Sequence, residues 1–593
     1  MKLKKLLALC LCLLFAVSVF AACKNNTDAD KDNSGNQDGT SVELYTTPYD
    51  ASDWSEFDAL VAEIKAETDF VKREELMHKA EDILMGTGAV MPIYYYNDIY
   101  MMKDTVEGFY ANVYGTKFFM YTTNGDSTTL RINLASEPDR LDPALNSSVD
   151  GACLAANSFS GLYTYNAEGE AVPDLCESYT VSEDGLTYTF TLKDNLKWSD
   201  GTELTAKDFE YSWKRAANPE TAADYSYMFS GIAGYNTEEG INVTASEDGK
   251  TLTVVLSAPC AYMLDLCAFP TFFPVKQSEV ESAEGYLGSD GKILDAGAWA
   301  IEAGFVSNGA YVLESWSHDE SMVYVKNPYY HNADKVKIER LEFMLSADDT
   351  AIFAAYEAGN LDFIDTAPND KLSELQKRSD FYKIDQLGTY YVSFNVNSDL
   401  FEGLSGTDAS KLRMALSLLV DRDYIVETCG QTGRQIATTF VPAGLLNGHG
   451  GVFRENDDAY TYPVKDAVGY FPEGSDQDEL EQNREKAIAI LKELGYKFDS
   501  EGKLTGDKKI SFEYLVNEDS GHKAIAECMQ QDFKKVGIDM SIKTIDWDTF
   551  LEERKAGNYD VARNGWIADF NDPINFLELF ISGSGNNDCQ FGK

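Results

Sequence analysis

The sequence predicts an α/β protein built from more than one domain. It contains segments in which apolar and polar residues alternate, such as LTYTFTL at 186–192, and segments in which apolar residues recur every three or four positions, such as REKAIAILKEL at 484–494. The first pattern is typical of strands and the second of helices, and their succession along the chain favours the α/β class. At 593 residues the chain is longer than one hydrophobic core usually supports.

The first 23 residues have the pattern of an export signal. Lys2, Lys4 and Lys5 precede an uncharged apolar run at 6–20, and two alanines then lead to Cys23. A basic start, a short apolar run and small residues at the exit are typical of a secretory signal peptide, which we predict to cover residues 1–22. A short transmembrane anchor is the alternative, but the run is shorter than the roughly 20 residues that span a bilayer.

The stretch FAAC that ends at Cys23 resembles the lipobox of bacterial lipoproteins, with Phe20 in place of the usual leucine. The resemblance implies a lipid on Cys23 that holds the protein at the outer face of the cell membrane, as its only membrane contact. The residues that follow are mostly polar and too poor in apolar side chains to repay the entropy of ordering. We therefore predict that residues 23–44 are a lipidated cysteine and a disordered tether.

The chain is strongly acidic. Acidic residues outnumber basic ones by 98 to 50, and the formal net charge is −48 at pH 7. Such a surface repels phosphate backbones, so the composition argues against nucleic acid as a partner. It suits a well-solvated protein outside the cell, and we expect a monomer.

Seven cysteines follow Cys23, and an odd number cannot all pair within one chain. Cys260 and Cys267 could form a local bridge, or they could be buried free thiols. No CxxC spacing occurs, so the cysteines do not indicate a zinc site. The seven are Cys153, Cys176, Cys260, Cys267, Cys429, Cys528 and Cys589.

Periodicity and turn residues place the individual elements. Gly495 and Gly537 each follow a predicted helix and suit a left-handed C-terminal cap. The predicted helices are at 57–64, 76–84, 206–216, 484–494 and 523–536. The predicted strands are at 92–96, 129–134, 186–192, 251–256, 511–516, 538–545 and 559–566.

Motifs of catalysis and cofactor binding are missing from the sequence. It contains no GxGxxG or GxxxxGK[ST] phosphate loop, no HExxH metal motif and no GxSxG nucleophile turn. The five histidines are scattered at 78, 318, 331, 449 and 522. We therefore predict a protein that is not an enzyme and needs neither a cofactor nor a metal.

Several blocks of the sequence together resemble the solute-binding proteins of oligopeptide ABC transporters, the bacterial extracellular family 5. The blocks occur in the usual family order between Leu130 and Phe580. The resemblance implies two α/β lobes joined by paired hinge strands, with an inserted subdomain in lobe one and a ligand held between the lobes. The blocks are GLTYTFTLKDNLKWSDGTELTAKDFEYSWKR at 185–215, SNGAYVLESW at 307–316, KNPYYHNADKV at 326–336, LGTYYVSFNVN at 387–397, KLRMALSLLVDRDYIV at 411–426 and DVARNGWIADFNDPINFL at 560–577.

The order of the segments departs from that family at one place. The portion that usually ends the family sequence does not follow Lys593, and a similar portion stands near the front, so we predict a circular permutation joined through TNGD at 123–126. An assembly error or a truncated tandem gene is the alternative. In the predicted arrangement residues 45–100 and 387–593 form lobe two, and residues 101–386 form lobe one with the inserted subdomain at about 162–306.

The resemblance also implies which residues hold a peptide. Asp569 matches the carboxylate that pairs with the peptide ammonium, and Gly565 and Trp566 match positions beside the peptide backbone. Arg563, Arg554 and His522 match positions that meet the peptide carboxylate. The positions that match side-chain pockets are Tyr96, Tyr391, Tyr225, Trp547, Leu551, Phe159 and Val149.

The leading hypothesis is an extracytoplasmic lipoprotein that captures oligopeptides and delivers them to the permease subunits of an ABC transporter. A dipeptide, a nickel chelate or an oligosaccharide is the alternative ligand for the same fold. A surface hydrolase and a peptide receptor or chaperone without a transport role are the alternatives of another class. Asp569 favours a ligand with a free amino group over a sugar.

Overall fold

The computed structural model describes residues 48–134, 137, 138, 140–454 and 477–593. The predicted signal peptide, the lipidated Cys23 and the tether to residue 44 lie outside the described residues. The α-helices are α1 (Ser55–Ala66), α2 (Phe70–Gly86), α3 (Val149–Ser158), α4 (Ala206–Ala217), α5 (Met263–Leu266), α6 (Gln277–Ser282), α7 (Asp349–Glu357), α8 (Leu372–Leu375), α9 (Gly406–Leu418), α10 (Arg422–Ile425), α11 (Gln477–Glu493), α12 (Ser520–Lys535), α13 (Trp547–Ala556) and α14 (Ile574–Leu577).

Strands occur along the whole described chain, between and among these helices. They are β1 (Val90–Met102), β2 (Val106–Glu107), β3 (Tyr110–Ala111), β4 (Lys117–Phe118), β5 (Thr123–Asn124), β6 (Thr129–Asn133), β7 (Tyr163–Tyr165), β8 (Ala171–Pro173), β9 (Cys176–Val181), β10 (Thr187–Leu192), β11 (Val243–Ala245), β12 (Thr251–Val255), β13 (Tyr311–Ser317), β14 (Ser321–Lys326), β15 (Arg340–Met344), β16 (Phe363–Ile364), β17 (Phe381–Phe394), β18 (Gln435–Ile436), β19 (Lys497–Phe498), β20 (Leu504–Thr505), β21 (Ser511–Asn517), β22 (Asp539–Ile545) and β23 (Val561–Ile567). The mixed α/β class is confirmed, and each predicted helix and strand overlaps an observed one.

One large mixed sheet organises the molecule. Within the described residues it has eleven strands in the order β13-β14-β15-β6-β16-β1-β17-β23-β21-β22, with β18 paired to β1. The two longest strands, β1 and β17, pair antiparallel at its centre. On one side β1 also pairs with β16 through Met101 and Met102, and on the other side β17 pairs with β23 from Gly388 to Phe394. The two strands together therefore join the two halves of the sheet. These two strands have the length and position of the expected hinge.

A second, smaller sheet lies in the expected inserted subdomain. Its described strands pair antiparallel in the order β11-β12-β10-β9. Helix α4 packs against it and begins with a capping box, in which the Thr205 hydroxyl accepts from the backbone of the first turn while the Asp208 carboxylate accepts from the Thr205 N–H. The amphipathic pattern of α4 buries Phe209 and Trp213, as its apolar spacing predicts.

The chain around helices α1 and α2 packs against the last described segment. Trp54 stacks on Phe591 at 3.9 Å between ring centroids, and its indole N–H donates to the Phe580 carbonyl at 2.7 Å. Arg73 forms a bidentate pair with Asp572, both distances being 2.8 Å. These buried contacts join residues that are about 500 positions apart in the sequence. The lobe boundaries and the permutation stay predictions.

The glycines after two helices and the described cysteines can be compared with the expectations from the sequence. Gly495 and Gly537 have φ of 86° and 80°, so both adopt the left-handed conformation predicted for them after α11 and α12. The seven described cysteines have free thiols, so Cys260 and Cys267 are not bridged. Helices long and apolar enough to cross a membrane are absent from the described part of the chain.

Candidate functional site

A cavity of about 390 Å³ lies beside β23 and the central strands β1 and β17. Most of the residues that the sequence assigns to a ligand come together on its walls. The assigned residues that line it are Asp569, Gly565, Trp566, Arg563, Arg554, His522, Tyr96, Tyr391, Tyr225, Trp547, Leu551 and Val149.

Phe159 is the exception. It is buried outside the cavity, 6.1 Å from the ring of Phe305 and 6.2 Å from that of Trp299, so it packs in the core next to the cavity instead of lining a pocket. Gly309 lies against the backbone of Ser158 and Phe159, where a Cβ would lie 2.4 Å from the Phe159 nitrogen. The assignment of Phe159 to a side-chain pocket of the ligand stays a prediction.

Asp569 is a buried carboxyl group held by neutral partners. Asn575 Nδ2 donates to its Oδ2 at 3.0 Å, and the Tyr225 hydroxyl lies 3.4 Å from Oδ1. No ion pair to a cation is found for it among the described residues. Burial raises the pKa of Asp569 to about 8, because a carboxylate without a counter-charge is poorly solvated there.

Asn575 fixes the orientation of this part of the site. Its Oδ1 accepts from the Asp569 backbone N–H at 2.9 Å and from the Trp566 indole N–H at 3.0 Å, while its Nδ2 donates to the carboxyl group. Asn575 is fully buried in helix α14, so one amide positions both the acidic group and the aromatic wall beside it. Sequence reasoning missed Asn575, although its place six residues after Asp569 in the same block is a usable signal.

Asp572 lies in the same block as Asp569, directly before Pro573. In the structure α14 begins at Ile574, after Pro573, and Asp572 Oδ1 accepts from the Ile574 N–H at 3.0 Å. The same carboxylate pairs with Arg73. Asp572 therefore has a structural role, which leaves Asp569 as the carboxyl group of this block that lines the cavity.

Arg563 is a basic residue at the opposite end of the open edge of β23 from Asp569. Its Nε donates to Asn517 Oδ1 at 2.9 Å, and its Nη2 lies 2.8 Å from His522 Nε2. Burial together with the Arg563 charge lowers the pKa of His522 to about 3, so the imidazole is neutral and accepts from the guanidinium. The hydrogen-bond partners found for Arg563 in the described chain are thus uncharged.

Two further arginines line the cavity and differ from each other. Arg434, which sequence reasoning missed, donates to the Tyr94 hydroxyl at 3.1 Å and to Asn97 Oδ1 at 3.3 Å, and lies over the Tyr94 ring. Arg554 pairs with Asp588 at 2.8 Å, so its charge is already balanced. Arg434 and Arg563 are therefore better placed than Arg554 to meet an anion.

The backbone of β23 is open towards the cavity. It pairs with β17 along its whole length, from Val561 to Ile567, but its described pairing with β21 ends at Ala562. The second edge of residues 563–567 thus has no strand partner in the described chain, although the Gly565 N–H donates to Asn564 Oδ1 at 2.8 Å. An extended ligand backbone could pair with the remaining groups of this edge. Gly565 lets the Tyr96 hydroxyl approach the strand closely, since a Cβ would lie 2.1 Å from that hydroxyl.

The other walls of the cavity are formed by aromatic rings or by charged side chains that pair with one another. The rings of Tyr225 and Trp566 lie 6.0 Å apart and enclose the Asp569 end. At another wall Lys117 is buried between Asp98 at 2.7 Å and Asp365 at 3.0 Å, so this cluster satisfies its own charges in part. A group of three or more possible metal ligands is not found in the described chain.

The comparisons place the chain among known proteins. The family described as bacterial extracellular solute-binding proteins, family 5 Middle, matches residues 170–588. The oligopeptide-binding protein OppA of Bacillus subtilis is 32% identical over 478 residues, which cover 78% of each chain. The periplasmic murein peptide-binding protein MppA of Escherichia coli is 30% identical, with 78% of this chain and 79% of the relative covered.

Solved structures give the same result. Haemophilus influenzae OppA in complex with RPPGFSPFR superposes with a TM-score of 0.64 at 27% identity, covering 79% of this chain and 85% of that one. Listeria monocytogenes OppA bound to peptide also has a TM-score of 0.64, at 25% identity, with 79% and 86% of the chains covered.

Proposed function

Since the chain belongs to family 5 of the bacterial extracellular solute-binding proteins, we propose that it captures oligopeptides in the cavity beside β23 and delivers them to an ABC permease. It has the two-lobed α/β fold of the peptide-binding proteins it resembles. Members of this family are binding proteins, and the cavity lacks a recognisable catalytic constellation within the described residues.

The observation that supports a peptide is an acidic group and a basic group, both with neutral hydrogen-bond partners, placed along one strand edge. Asp569 follows β23 and has no cation, while Arg563 begins the open edge and has neutral partners. A zwitterionic peptide offers an ammonium, a carboxylate and a backbone with alternating donors and acceptors. The span from Arg563 to Ile567 is about 13 Å at the strand rise, on the order of the length of a short extended peptide.

Binding then follows from the geometry. When the peptide binds, Asp569 loses its proton and its carboxylate pairs with the peptide ammonium. The positive charge stabilises the ionised form, which burial disfavours in the empty protein. The peptide backbone pairs with residues 563–567, and Arg563 together with Arg434 meets its carboxylate. His522 accepts from Arg563 and acts as a neutral orienting group. Arg554 plays a smaller part because Asp588 already balances it.

Side chains of the peptide occupy the aromatic walls. Tyr225 and Trp566 enclose the first residue, and Trp547 and Leu551 on α13 enclose a later one. Val149 and Tyr391 complete the lining. Such walls are large and mostly apolar, so they accept many side chains while the ends and the backbone supply the affinity.

The remaining parts of the proposal concern attachment and segment order. The protein is exported by residues 1–22, is anchored by a lipid on Cys23 and acts as a monomer at the outer face of the membrane. Residues 45–100 complete lobe two, together with 387–593, through a circular permutation. The contacts of Trp54 with Phe591 and of Arg73 with Asp572 support this order.

The experiment is to purify the protein and analyse its bound ligands by native mass spectrometry, then to titrate the emptied protein with synthetic peptides by calorimetry. We expect co-purified peptides with free termini and submicromolar binding of unmodified peptides. A nickel chelate or an oligosaccharide as the co-purified species would contradict the proposal. Cleavage of the added peptides would indicate a hydrolase instead.

Transport needs a separate test in cells. Deleting the gene should abolish uptake of a labelled peptide, and a plasmid copy should restore it. A copy with Cys23→Ser should restore uptake poorly if the lipid anchor is needed, and the variant should be released into the medium. Normal uptake in the deletion strain would indicate a peptide receptor without a transport role.

A further inference from the structure

Two cysteines from distant parts of the sequence lie next to each other in a hydrophobic core cluster. Cys429 Sγ and Cys528 Sγ are 3.7 Å apart, close enough for one thiol to donate to the other. Cys429 belongs to a π-helical turn, Val426–Gly430, and Cys528 lies in the middle of helix α12. Both carry free thiols in this structure.

We propose that Cys429 and Cys528 are a redox-active pair that forms a disulfide when the protein meets the oxidising conditions outside the cytoplasm. A disulfide needs the two sulfur atoms at about 2.05 Å, so a small shift of the π-helical turn or of α12 is sufficient. Disulfides form and persist in extracellular proteins, which is where this family acts. The proposal does not depend on the identity of the ligand.

The two thiols have different environments, which assigns their roles. Cys429 is buried, with 4% of its surface exposed, whereas Cys528 is partly exposed. The hydrogen bond from Cys429 lowers the pKa of Cys528, because it stabilises the thiolate. Cys528 is therefore the thiol that an external oxidant reaches first and Cys429 the one that resolves the mixed disulfide.

The reaction balances as thiol–disulfide exchange with a small disulfide or a thiol oxidoreductase as the oxidant. The Cys528 thiolate attacks one sulfur of the oxidant and expels its other sulfur as a thiolate. Cys429 then loses its proton to water, and its thiolate attacks the Cys528 sulfur and expels the second thiolate. The protein loses two electrons and two protons, and the oxidant gains them as two thiols.

The bond would join two segments that each reach the cavity. Arg434 follows Cys429 after five residues, and His522 precedes Cys528 by six residues in α12. Arg434 and His522 both line the cavity. A disulfide between Cys429 and Cys528 closes a loop of about 100 residues and lowers the conformational entropy of the unfolded chain. The oxidised protein should therefore be more stable, with the basic end of the cavity held more rigidly.

The test is to treat the folded wild-type protein with oxidised glutathione, block the remaining thiols with iodoacetamide and digest the protein without reduction. We expect mass spectrometry to find the peptides that contain Cys429 and Cys528 linked and two hydrogens lighter than the sum of the free peptides. The melting temperature should rise by several degrees on oxidation and return on reduction with dithiothreitol.

The variants keep the test specific. Cys429→Ser should stop at a mixed disulfide between Cys528 and glutathione, with no reversible rise in melting temperature. Cys153→Ser is the matched control, since Cys153 is buried against Gly115 and Lys117, and it should retain the linked peptides. Alkylation of both Cys429 and Cys528 after oxidation of the wild-type protein, or linkage of either one to a different cysteine, would overturn the proposal.

Discussion

The two ends of the open β23 edge carry groups of opposite type, and both groups are held by neutral hydrogen-bond partners. At one end Asp569 is held by Asn575 and Tyr225, and at the other Arg563 is held by Asn517 and His522. Both groups therefore line the cavity with neutral hydrogen-bond partners, although Arg563 also interacts electrostatically with the Asp519 carboxylate. Under the proposed function the ligand completes these hydrogen bonds, which favours a ligand that is positive at one end and negative at the other.

The two ends differ in whether the charge persists in the empty protein. An arginine stays protonated, so the Arg563 end is always cationic. Asp569 has a pKa of about 8 and is mostly neutral in the empty protein at pH 7. The acidic end is thus charged mainly when an ammonium is present. The comparison predicts that one end couples binding to proton release and that the other does not.

Replacing Asp569 by asparagine should give the largest effect. The variant keeps the shape and the contact with Asn575 but cannot balance an ammonium. We expect about a thousandfold loss of affinity for peptides with a free amino terminus, which is about 4 kcal/mol and in the range for leaving a buried charge unpaired. Calorimetry with matched free and N-acetylated peptides measures the difference.

Asp265→Asn is the matched control for that substitution. Asp265 is a neighbouring carboxyl group that does not line the cavity, and burial raises its pKa to about 6. Its replacement should leave peptide affinity within about threefold. Equal losses for both variants, or an unchanged affinity for Asp569→Asn, would show that Asp569 does not pair with the ammonium.

The pH dependence should be the next largest effect. Below pH 8 the Asp569 carboxyl group is protonated in the empty site, so binding of an ammonium must release that proton. Affinity should rise by about tenfold per pH unit between pH 5 and 7 and level off as the pH approaches 8. Above pH 8 it should fall, because the peptide ammonium itself deprotonates. Calorimetry in buffers of different ionisation enthalpy should detect about one released proton.

The same raised pKa acts on the stability of the empty protein with the opposite sign. The folded form binds a proton at Asp569 that the unfolded chain releases above its usual pKa of 3.8. The stabilising contribution is full at low pH and is lost as the pH rises towards 8. Asp569→Asn should remove this part of the pH dependence of unfolding by urea. An identical pH profile in the variant would contradict the raised pKa.

Replacing Arg563 by methionine should have a smaller effect, because Arg434 also faces the cavity. We expect about a 10- to 30-fold loss for peptides with a free carboxylate and little change for C-terminal amides, in the range of about 1.5–2 kcal/mol for a charged hydrogen bond. The loss should not vary with pH between 6 and 8. Arg340→Met is the control, since Arg340 is a surface arginine paired with Glu314 and Glu342.

Moving a segment should have the smallest effect. A chain in which residues 45–122 follow Lys593 keeps Asp569 and Arg563 in their own segment and restores the predicted family order. We expect peptide affinity within about threefold of the original, because close termini tolerate rejoining. Circular dichroism and calorimetry measure folding and binding. An insoluble or inactive product would weaken the predicted permutation.

The local elements could be predicted from the sequence because their causes are local. The apolar spacing of Phe57, Leu60, Val61 and Ile64 and the alternation in LTYTFTL are properties of short windows, and the structure has α1 and β10 there. The order of the large sheet could not be predicted this way. It depends on pairings such as β6 with β15, which join strands about 200 residues apart.

The site likewise contains residues that the sequence could predict and residues that it could not. Asp569, Gly565, Trp566 and Arg563 lie in one block whose resemblance was specific, and the structure brings all of them to the cavity. Arg434 was missed because it stands in a loop without a motif and reaches the cavity only through tertiary packing. Phe159 does not line the cavity, which is understandable because a resemblance transfers a position but not the direction of a side chain.

The irregular pairing of β1 and β17 has a mechanical consequence. Their register shifts between Pro92 and Tyr94 and again between Tyr95 and Asn97, in the middle of the two strands that join the halves of the sheet. Tyr96 and Asn97 at this irregularity also line the cavity. A bound molecule therefore touches the part of the backbone with the weakest ladder, where bending costs the least. Under the proposed function, the same few residues would couple ligand binding to the angle between the lobes, and the permease would recognise the filled protein by its outer shape.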